Sequence, residues 1–416
     1  MSPRIGMVTQ WYDPETGAAA VPGSIARSLR RHGHRVEVLT GFPNYPSGRV
    51  YPGYSVRPYR REVLEGVLVH RAPLYPSHDT RALRRAANYL SFAVGASAVG
   101  IRRLRHVEAV LVHSSPATAA IPAMVLRALS RTPYVVHVQD LWPQTVVSSG
   151  LLESRGTVVE RILHRFCDSV YRHADAVAVT SPGMAGLIAD RGVPEAKIVV
   201  VPNWADESAF RPVEPDPSLA ARLGITAPFT VMYAGNMGEF QSIDVLVETA
   251  TRLRDEPEIG FALVGGGVEE ARLRSMVAER GLTNVTFVGP QPFEMMAAIL
   301  ALGTVQVVSL KDLPLFRTTL PSKLQGIMAA GRPIIGAVTG DAAEAVLASG
   351  GGVVVTPGSV EEMSAAVLEL RHGGGDALRA RGEASRAYYL SHFSEQVNSE
   401  LLSRLLVRAA ERRGRR

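Results

Sequence analysis

The 416-residue chain has one cysteine, Cys167, and only three lysines among its 45 basic residues. A single cysteine excludes a disulfide framework and any cysteine-rich metal site. Charged residues make up 20% of the chain and hydrophobic residues 46%, which excludes wholesale disorder. The net charge of +6 and the aromatic content of 6% are both low for a nucleic-acid-binding protein, so no nucleic-acid partner is expected.

Long hydrophobic runs are also missing. The longest weakly polar stretch, between Arg85 and Arg102, holds 16 residues, whereas a membrane span needs about 20 apolar residues. No basic segment followed by an apolar core precedes Ile5, so we expect no secretory signal and a cytoplasmic protein. The arginines around this stretch fit either a helix resting on an anionic inner-membrane surface or an ordinary solvated helix.

Several catalytic signatures are absent from the sequence. No two aspartates stand two residues apart, which argues against the metal-dependent transferases that use such a pair. The 11 histidines form no H-E-x-x-H motif or clustered ligand set, so no metal site is predicted. The chain also has no P-loop and no G-x-S-x-G elbow, which argues against an ATPase and an α/β-hydrolase.

Short apolar runs alternate with helix-length segments almost from end to end. The pattern starts with a strand over 5–9, a helix over 24–32 and a strand over 35–39, and the next strand is predicted at 109–113. It restarts after residue 203 with a strand over 229–234. Such alternation predicts parallel sheets, and therefore an α/β fold with two doubly wound Rossmann-like domains, 1–203 and 204–390, facing a central cleft.

Glycine-containing loops follow several of these strands. Gly17 lies in the loop over 10–23, Gly235 and Asn236 follow the strand over 229–234, and Gly266 and Gly267 follow a strand over 261–264. Glycine lets backbone amides approach an anion closely at the carboxyl edge of such a sheet. Each loop alone is also explained as a plain connecting turn.

Two of the three lysines lie close together in sequence. Lys311 follows a predicted strand, and Lys323 follows Ser322 at the start of a predicted helix. In a chain that otherwise uses arginine, a retained lysine indicates a role that a guanidinium cannot fill. A compact ammonium beside helix-terminal amides is a good phosphate ligand, although chance placement is the alternative.

A carboxylate ends the strand predicted over 134–139. His137 and Gln139 share one face of that strand, and Asp140 closes it. Asp140 can orient an acceptor hydroxyl or stabilise a positively charged transition state, or it can simply cap the following turn.

Taken together, six motifs resemble the family 4 glycosyltransferases of the GT-B fold, and among them the fucosaminyltransferase-like enzymes of bacterial surface polysaccharide assembly. The motifs lie at residues 33–40, 138–143, 201–206, 233–238, 284–289 and 321–324. The resemblance implies retaining, metal-independent and cofactor-free transfer of a sugar, such as an N-acetylamino sugar, from a nucleotide (UDP-linked) donor. The implied acceptor is a lipid-linked or cell-surface glycan, as in exopolysaccharide or O-antigen synthesis.

The resemblance also implies roles for individual residues. The C-terminal domain is expected to bind the donor and the N-terminal domain the acceptor, with a last helix over 391–416 crossing back to the N-terminal domain. The implied catalytic residues are Asp140, His137 and Lys323. The implied donor ligands are Gly17, Gly235, Asn236, Gly266, Gly267, Val288, Lys311, Ser322, Lys323 and Gln325, and the acceptor-side residues are Trp142, Tyr89 and Arg85.

Three departures from the family pattern leave alternatives open. Gln139 precedes Asp140 where many members have histidine, and Asn236 and Gln241 stand where an arginine and a lysine are usual. The ribose-binding glutamate expected after Pro-Ser-Lys falls on Gly326, for which Gln325 is a possible substitute. A non-catalytic GT-B-like binding subunit and a GT-B nucleotide-sugar epimerase are therefore the alternative functions.

Overall fold

A computed structural model describes residues 2–79, 81–144 and 158–414 of the chain. The chain forms two compact units, Met1–Pro202 together with Asn398–Arg416, and Asn203–Val397. The sequence pattern had placed the divisions after residues 203 and 390.

The first unit is built on an eight-stranded sheet with the order β3-β4-β2-β1-β5-β6-β7-β8. All neighbouring strands are parallel except β3 and β4, which form an antiparallel edge. The central strands β5 and β6 are buried at every position, as expected for strands covered by helices on both faces. The strands are β1 Arg4–Val8, β2 Arg35–Thr40, β3 Arg60–Leu64, β4 Val67–Arg71, β5 Ala109–Ser114, β6 Tyr134–Val138, β7 Ala176–Val179 and β8 Ile198–Val200.

The second unit is built on a six-stranded, wholly parallel sheet with the order β11-β10-β9-β12-β13-β14. The strand order reverses beside β9, which lies between β10 and β12. In open parallel sheets such a reversal places the ligand-binding crevice at the carboxyl ends of the strands. The strands are β9 Phe229–Ala234, β10 Ile259–Val264, β11 Val285–Gly289, β12 Val305–Ser309, β13 Ile334–Ala337 and β14 Gly352–Val355.

Helices connect the strands in both units. The described α-helices are α1 Val21–Arg31, α2 Ala82–Arg103, α3 Ile121–Ser130, α4 Val158–His173, α5 Pro182–Ala189, α6 Pro217–Arg222, α7 Asp244–Arg252, α8 Glu270–Glu279, α9 Met296–Leu302, α10 Ser322–Ala329, α11 Asp341–Ser349, α12 Val360–Tyr388 and α13 Glu395–Gly414. Two parallel-sheet α/β units confirm the predicted fold class. Among the described residues, no helix has the length and apolar composition needed to cross a bilayer.

The β3–β4 hairpin and strand β14 were not predicted. The hairpin turns at Glu65 and Gly66, both with positive φ, as a two-residue hairpin turn requires. Its arginine-rich sequence suggests a solvated surface, yet Arg71 is fully buried. Arg71 donates to the Glu62 carboxylate and to the carbonyl of Gly41. These hydrogen bonds offset the cost of burying the guanidinium charge, and the local sequence does not predict them.

The last helix, α13, begins at Glu395, and its residues from Asn398 onward belong to the first unit. Two histidines of the α1–β2 turn hydrogen-bond to α13. The His32 ring lies 2.8 Å from the Ser399 hydroxyl, and the His34 ring lies 2.7 Å from the Ser403 hydroxyl. Near its end, Arg413 donates to the carbonyl of Val107. The last two arginines of the predicted tail lie outside the described residues.

Candidate functional site

Two glycine loops at the carboxyl edge of the second sheet are joined through their main chains. The amide of Met237, after β9, donates to the Gly266 carbonyl at 2.8 Å, and the Glu269 amide returns a bond to the Met237 carbonyl at 3.0 Å. The Gly265 amide donates to the Gly289 carbonyl at 2.9 Å, which ties in the end of β11. Three neighbouring strand ends therefore form one hydrogen-bonded rim.

The two loops approach so closely that side chains are excluded between them. A Cβ added at Gly265 would overlap the carbonyl oxygen of Gly235, and one at Gly267 would overlap that of Met237. Both glycines also have positive φ, 122° and 158°. The glycines thus allow the two loops to approach each other, which brings Gly235, Gly266 and Gly267 together, and the predicted approach of their amides to an anion stays a prediction.

Lys323 lies directly against the first glycine loop. Its Nζ is 3.5 Å from the centroid of the Tyr233 ring, and a Cβ at Gly235 would lie 2.9 Å from the same atom. Desolvation by burial lowers the pKa of Lys323 to about 7. No salt bridge joins Lys323 to a carboxylate within the described part of the chain. The ammonium is therefore held over the ring without a compensating negative charge.

Tyr233 supports both the lysine and the loop, and the sequence analysis missed it. The ring is buried at the end of β9, and its hydroxyl donates to the Asn236 carbonyl at 2.6 Å. The Asn236 side chain is exposed, and its oxygen would lie 2.8 Å from a Cβ at Gly267. In sequence Tyr233 is one more apolar residue of a buried strand, and only the contact with Lys323 distinguishes it.

Lys311 and Ser322, two further predicted donor ligands, are both exposed. The Lys311 amide donates to the Phe240 carbonyl at 2.9 Å. Its side chain lines a small cavity that also contains Glu239, Asp244 and Glu269. Lys311 thus borders carboxylates, whereas Lys323 lies against Gly235 and Tyr233.

Gln325 and Gly326 differ from the sequence interpretation. Gln325 is buried, and its amide nitrogen donates to the backbone carbonyl of Asn203 at 2.7 Å, so this nitrogen is engaged within the protein. A Cβ at Gly326 would lie 2.9 Å from two ring carbons of Phe210. The place where the resemblance expects a glutamate is therefore filled by an aromatic ring. Val288, the remaining predicted donor residue, lies in β11, and its carbonyl accepts from Gln291 at 3.3 Å.

In the first unit, Asp140 follows β6 beside the end of β5. Its Oδ2 accepts a hydrogen bond from the Ser115 hydroxyl at 2.9 Å. Burial raises the pKa of Asp140, and the bond from Ser115 opposes that shift in part. The carboxylate thus occupies the predicted sheet edge in a poorly hydrated setting that favours taking up a proton.

His137 does not lie at a surface. The ring is fully buried, and its Nε2 is 3.0 Å from the carbonyl oxygen of Val201. Desolvation lowers the pKa of His137 to about 4, so the imidazole is neutral near pH 7. The predicted catalytic contact with substrate is therefore wrong in geometric terms: the ring links β6 to the segment after β8. Strand periodicity gave the face of the residue but not what covers that face.

Gly17 begins the short 3-10 turn Gly17–Ala20 that leads into α1. The residue is exposed, and a Cβ there would meet no atom within 4 Å. The loop before it is fixed by Glu15, whose carboxylate accepts from the backbone amides of Tyr12, Asn44 and Tyr45 at 2.7 to 2.9 Å. Gly17 therefore lies open at the end of a rigid loop.

The predicted acceptor-side residues form a continuous aromatic group. Arg85 donates to the Tyr89 hydroxyl at 3.0 Å, and the Tyr89 ring packs edge-on against Trp142 at 5.8 Å. Tyr89 also contacts Trp11 at 6.5 Å, and Trp11 contacts Tyr45 at 5.1 Å. The sequence analysis missed Trp11 and Tyr45, although each lies shortly after a strand of the first unit, where ligand-contacting side chains are expected.

Two family descriptions match the chain. A glycosyl transferase 4-like domain matches residues 16–204, and a domain of the glycosyl transferases group 1 matches residues 228–372. The chain is 33% identical to the putative colanic acid biosynthesis glycosyl transferase WcaI of Escherichia coli K12 over 327 residues, which are 77% of this chain and 79% of that protein. It is 25% identical to the probable glycosyltransferase WbjE of Pseudomonas aeruginosa over 62% of this chain and 64% of that protein.

Solved structures share the fold. Sucrose-phosphate synthase of Thermosynechococcus elongatus superimposes with a TM-score of 0.73 at 19% identity, covering 97% of this chain and 98% of that one. Anabaena HepE in complex with UDP superimposes with a TM-score of 0.71 at 15% identity, covering 97% of this chain and 99% of that one.

The close contact of the two loops predicts that two glycine-to-alanine variants lose very different amounts of stability. Gly265→Ala is expected to reduce the stability of its unit by more than about 2 kcal/mol, because the new Cβ must push apart two hydrogen-bonded loops. Gly281→Ala, which also has positive φ but no neighbouring atom within 4 Å, is the matched control and should cost about 1 kcal/mol. Calorimetric melting of both variants checks this, and equal losses would contradict the steric argument.

Proposed function

The chain belongs to the glycosyltransferases, and we propose that it moves a sugar from a UDP-linked donor to a glycan acceptor in polysaccharide biosynthesis. The observation that carries the proposal is Lys323, a partly desolvated ammonium with no carboxylate partner among the described residues, held beside two interlocked glycine loops. A nucleoside diphosphate supplies the negative charge that this arrangement lacks.

Lys323 is well placed to stabilise a leaving diphosphate. Negative charge develops on that group as the glycosidic bond to the donor breaks, and preorganised positive groups lower the barrier most where water is excluded. Ser322 begins α10 beside it, so the amides at the helix start add to the positive potential. Because a lysine supplies this charge and the sequence lacks paired aspartates, the proposed transfer is metal-independent and needs no cofactor.

The relatives support the choice of substrates. WcaI carries colanic acid biosynthesis in its name, and structures of HepE were obtained with UDP and with UDP-glucose. For this chain we propose a UDP-sugar donor held by the second unit and a lipid-linked or cell-surface glycan acceptor. Asn236 and Gln241 depart from the pattern of the wider family but resemble that of the fucosaminyltransferase-like group. From this resemblance we take an N-acetylamino sugar, transferred with retention, as the proposed chemistry.

Asp140 is the proposed catalytic carboxylate of the first unit. Its link to Ser115 fixes the orientation of one carboxylate oxygen. The ionised form can accept a hydrogen bond from an acceptor hydroxyl or stabilise a positive oxocarbenium-like centre. The aromatic group of Trp11, Tyr89 and Trp142 offers flat apolar surfaces of the kind on which sugar rings pack.

The outer face of α2 supports attachment to an anionic membrane surface. Leu83, Leu90, Val94 and Ile101 are exposed, and their spacing of seven, four and seven residues puts them on one side of the helix. Leu83 and Val94 are exposed over 87% and 72% of their surface. Arginines lie at both ends of α2, so apolar insertion and attraction to anionic lipid act together.

The role of Lys323 predicts that UDP binding weakens as pH rises. With a free-enzyme pKa of about 7, the lysine must gain a proton to bind the diphosphate above that pH, which weakens UDP affinity about tenfold per pH unit. Calorimetric titration with UDP between pH 7.5 and 9 measures this slope. Lys323→Arg should bind UDP with little pH dependence, because arginine stays charged, and Lys323→Met should bind weakly at every pH. A flat wild-type profile would refute the assignment.

The role of Asp140 predicts a loss of turnover in Asp140→Asn of about 10²- to 10⁴-fold, with folding unchanged. Because burial raises the pKa of Asp140, wild-type activity should fall on acidification at a pH above the usual aspartate range. UDP release from a panel of UDP-sugars with polyprenyl-linked glycans and EDTA measures turnover, and Asp190→Asn, at an exposed position after α5, is the control.

The same assay separates the alternatives. Release of no nucleotide with any donor would favour a binding subunit, and a product formed without acceptor would favour an epimerase. An inverted anomeric configuration in the product, read by NMR, would overturn retention.

The exposed apolar face of α2 predicts a membrane-binding defect. The double variant Leu90→Asp with Val94→Asp should no longer sediment with vesicles containing anionic phosphatidylglycerol. Each aspartate removes an apolar contact and is repelled by the lipid charge. Leu347→Asp, an exposed leucine on α11 of the second unit, is the matched control and should sediment as wild type does. Equal sedimentation of all three proteins would rule out this surface.

A further inference from the structure

Phe293 presents a large apolar ring at the ligand-binding edge of the second sheet. It begins the 3-10 turn Phe293–Met295 that follows β11, and 51% of its surface is exposed. An aromatic ring exposed to this extent has not been desolvated by the fold itself, so its apolar surface remains available to a ligand.

Phe210 holds this ring in place. The two rings meet edge-on at 77°, with centroids 5.6 Å apart. Phe210 in turn fills the space beside α10, since a Cβ at Gly326 would lie 2.9 Å from two of its ring carbons. The two rings therefore form one fixed aromatic surface. The Phe210 ring packs against α10, and the Phe293 ring is partly exposed to solvent.

The pair lies next to the proposed diphosphate site. Gly326 follows Lys323 by three residues in α10, so the two positions are neighbours on one helix face. From the other side, the loop that carries Phe293 touches the glycine rim, because Pro290 lies 3.5 Å from a Cβ placed at Gly266. A diphosphate held at Lys323 therefore has an aromatic surface within reach of the group attached to it.

Polar recognition beside this surface is restricted. Gly326 has no side chain, and the adjacent Gln325 is buried, with its amide nitrogen donating to the Asn203 carbonyl at 2.7 Å. The surface beside Gly326 is thus formed by the ring carbons of Phe210 and Phe293, while position 326 offers no side chain and the amide nitrogen of Gln325 is already engaged.

We propose that Phe293 is the packing surface for the nucleoside of the donor, and that the ribose hydroxyls receive no side-chain hydrogen bond from Gln325 or from position 326. The inference rests on the proposed function, since it takes the diphosphate of the donor to lie at Lys323. It makes nucleoside recognition here predominantly apolar, so a donor lacking a ribose hydroxyl binds nearly as well.

Titration calorimetry with UDP, 2′-deoxy-UDP and inorganic pyrophosphate tests the proposal on the full chain. Phe293→Ala is expected to weaken UDP binding about 10- to 100-fold, the range for loss of one base-stacking contact, and to leave pyrophosphate binding unchanged. Phe293→Tyr keeps the ring and should bind UDP as wild type does. Leu347→Ala, which removes an exposed apolar side chain on α11, is the matched control. Wild-type protein should bind 2′-deoxy-UDP within about threefold of UDP, because no hydrogen bond from Gln325 or from position 326 is lost.

The outcomes separate this inference from the proposed function. If Phe293→Ala binds UDP as the Leu347→Ala control does, the role of Phe293 is refuted while the donor site at Lys323 stands. If 2′-deoxy-UDP binds more than about tenfold more weakly than UDP, a ribose ligand exists and the second half of the proposal is wrong. If wild type binds neither UDP nor pyrophosphate, the proposed function and this inference are refuted together.

Discussion

The donor-side architecture depends on a close crossing of two stretches of main chain. The loops after β9 and β10 exchange hydrogen bonds through Met237 and Gly266, and no Cβ fits between them at Gly265 or Gly267. Because the amides and carbonyls of these two loops hydrogen-bond to each other, they need no side chain as a hydrogen-bond partner. A charged side chain can therefore lie against the loops. Lys323 takes that place because Gly235, also without a side chain, leaves room for its ammonium.

The electrostatic state of Lys323 follows from this crowding. Contact with the Tyr233 ring is worth about 2 kcal/mol where water is excluded, which does not offset the desolvation of a charged ammonium. The result is a pKa of about 7 rather than the usual value of about 10.4. An anion about 4 Å away adds roughly 4 kcal/mol at an effective dielectric constant of 20, enough to restore the full charge. At the proposed donor site, binding of a diphosphate and protonation of the lysine are thus one coupled event.

Sequence reasoning reached the features that local pattern controls. Alternating apolar runs predicted the parallel sheets, glycines at strand ends predicted the rim, and the scarcity of lysine singled out Lys311 and Lys323 together. It failed where a residue's meaning comes from a distant partner. Arg71 is buried because Glu62 and backbone carbonyls surround it, and His137 is covered by the segment that follows β8. The sequence around each of these residues gives no signal of such tertiary contacts.

Gly326 shows the same limit most clearly. The sequence presents it as a missing ligand, whereas the structure presents it as a space already filled by Phe210, which reaches α10 from a segment more than a hundred residues earlier in the chain. Adding a carboxylate there would first displace a ring that packs on Phe293.

The presence of a lysine at position 323, in a chain that has few lysines, has a physical explanation. An arginine there would carry a planar guanidinium that stays charged at every physiological pH, so it would bind an anion without the pH dependence expected of the lysine. The space over Gly235 holds the lysine ammonium, and a lysine, unlike an arginine, tolerates desolvation by losing its proton when no anion is bound. A lysine with a pKa of about 7 can therefore give up its proton when the site is empty and regain it when an anion binds, and an arginine has no such response.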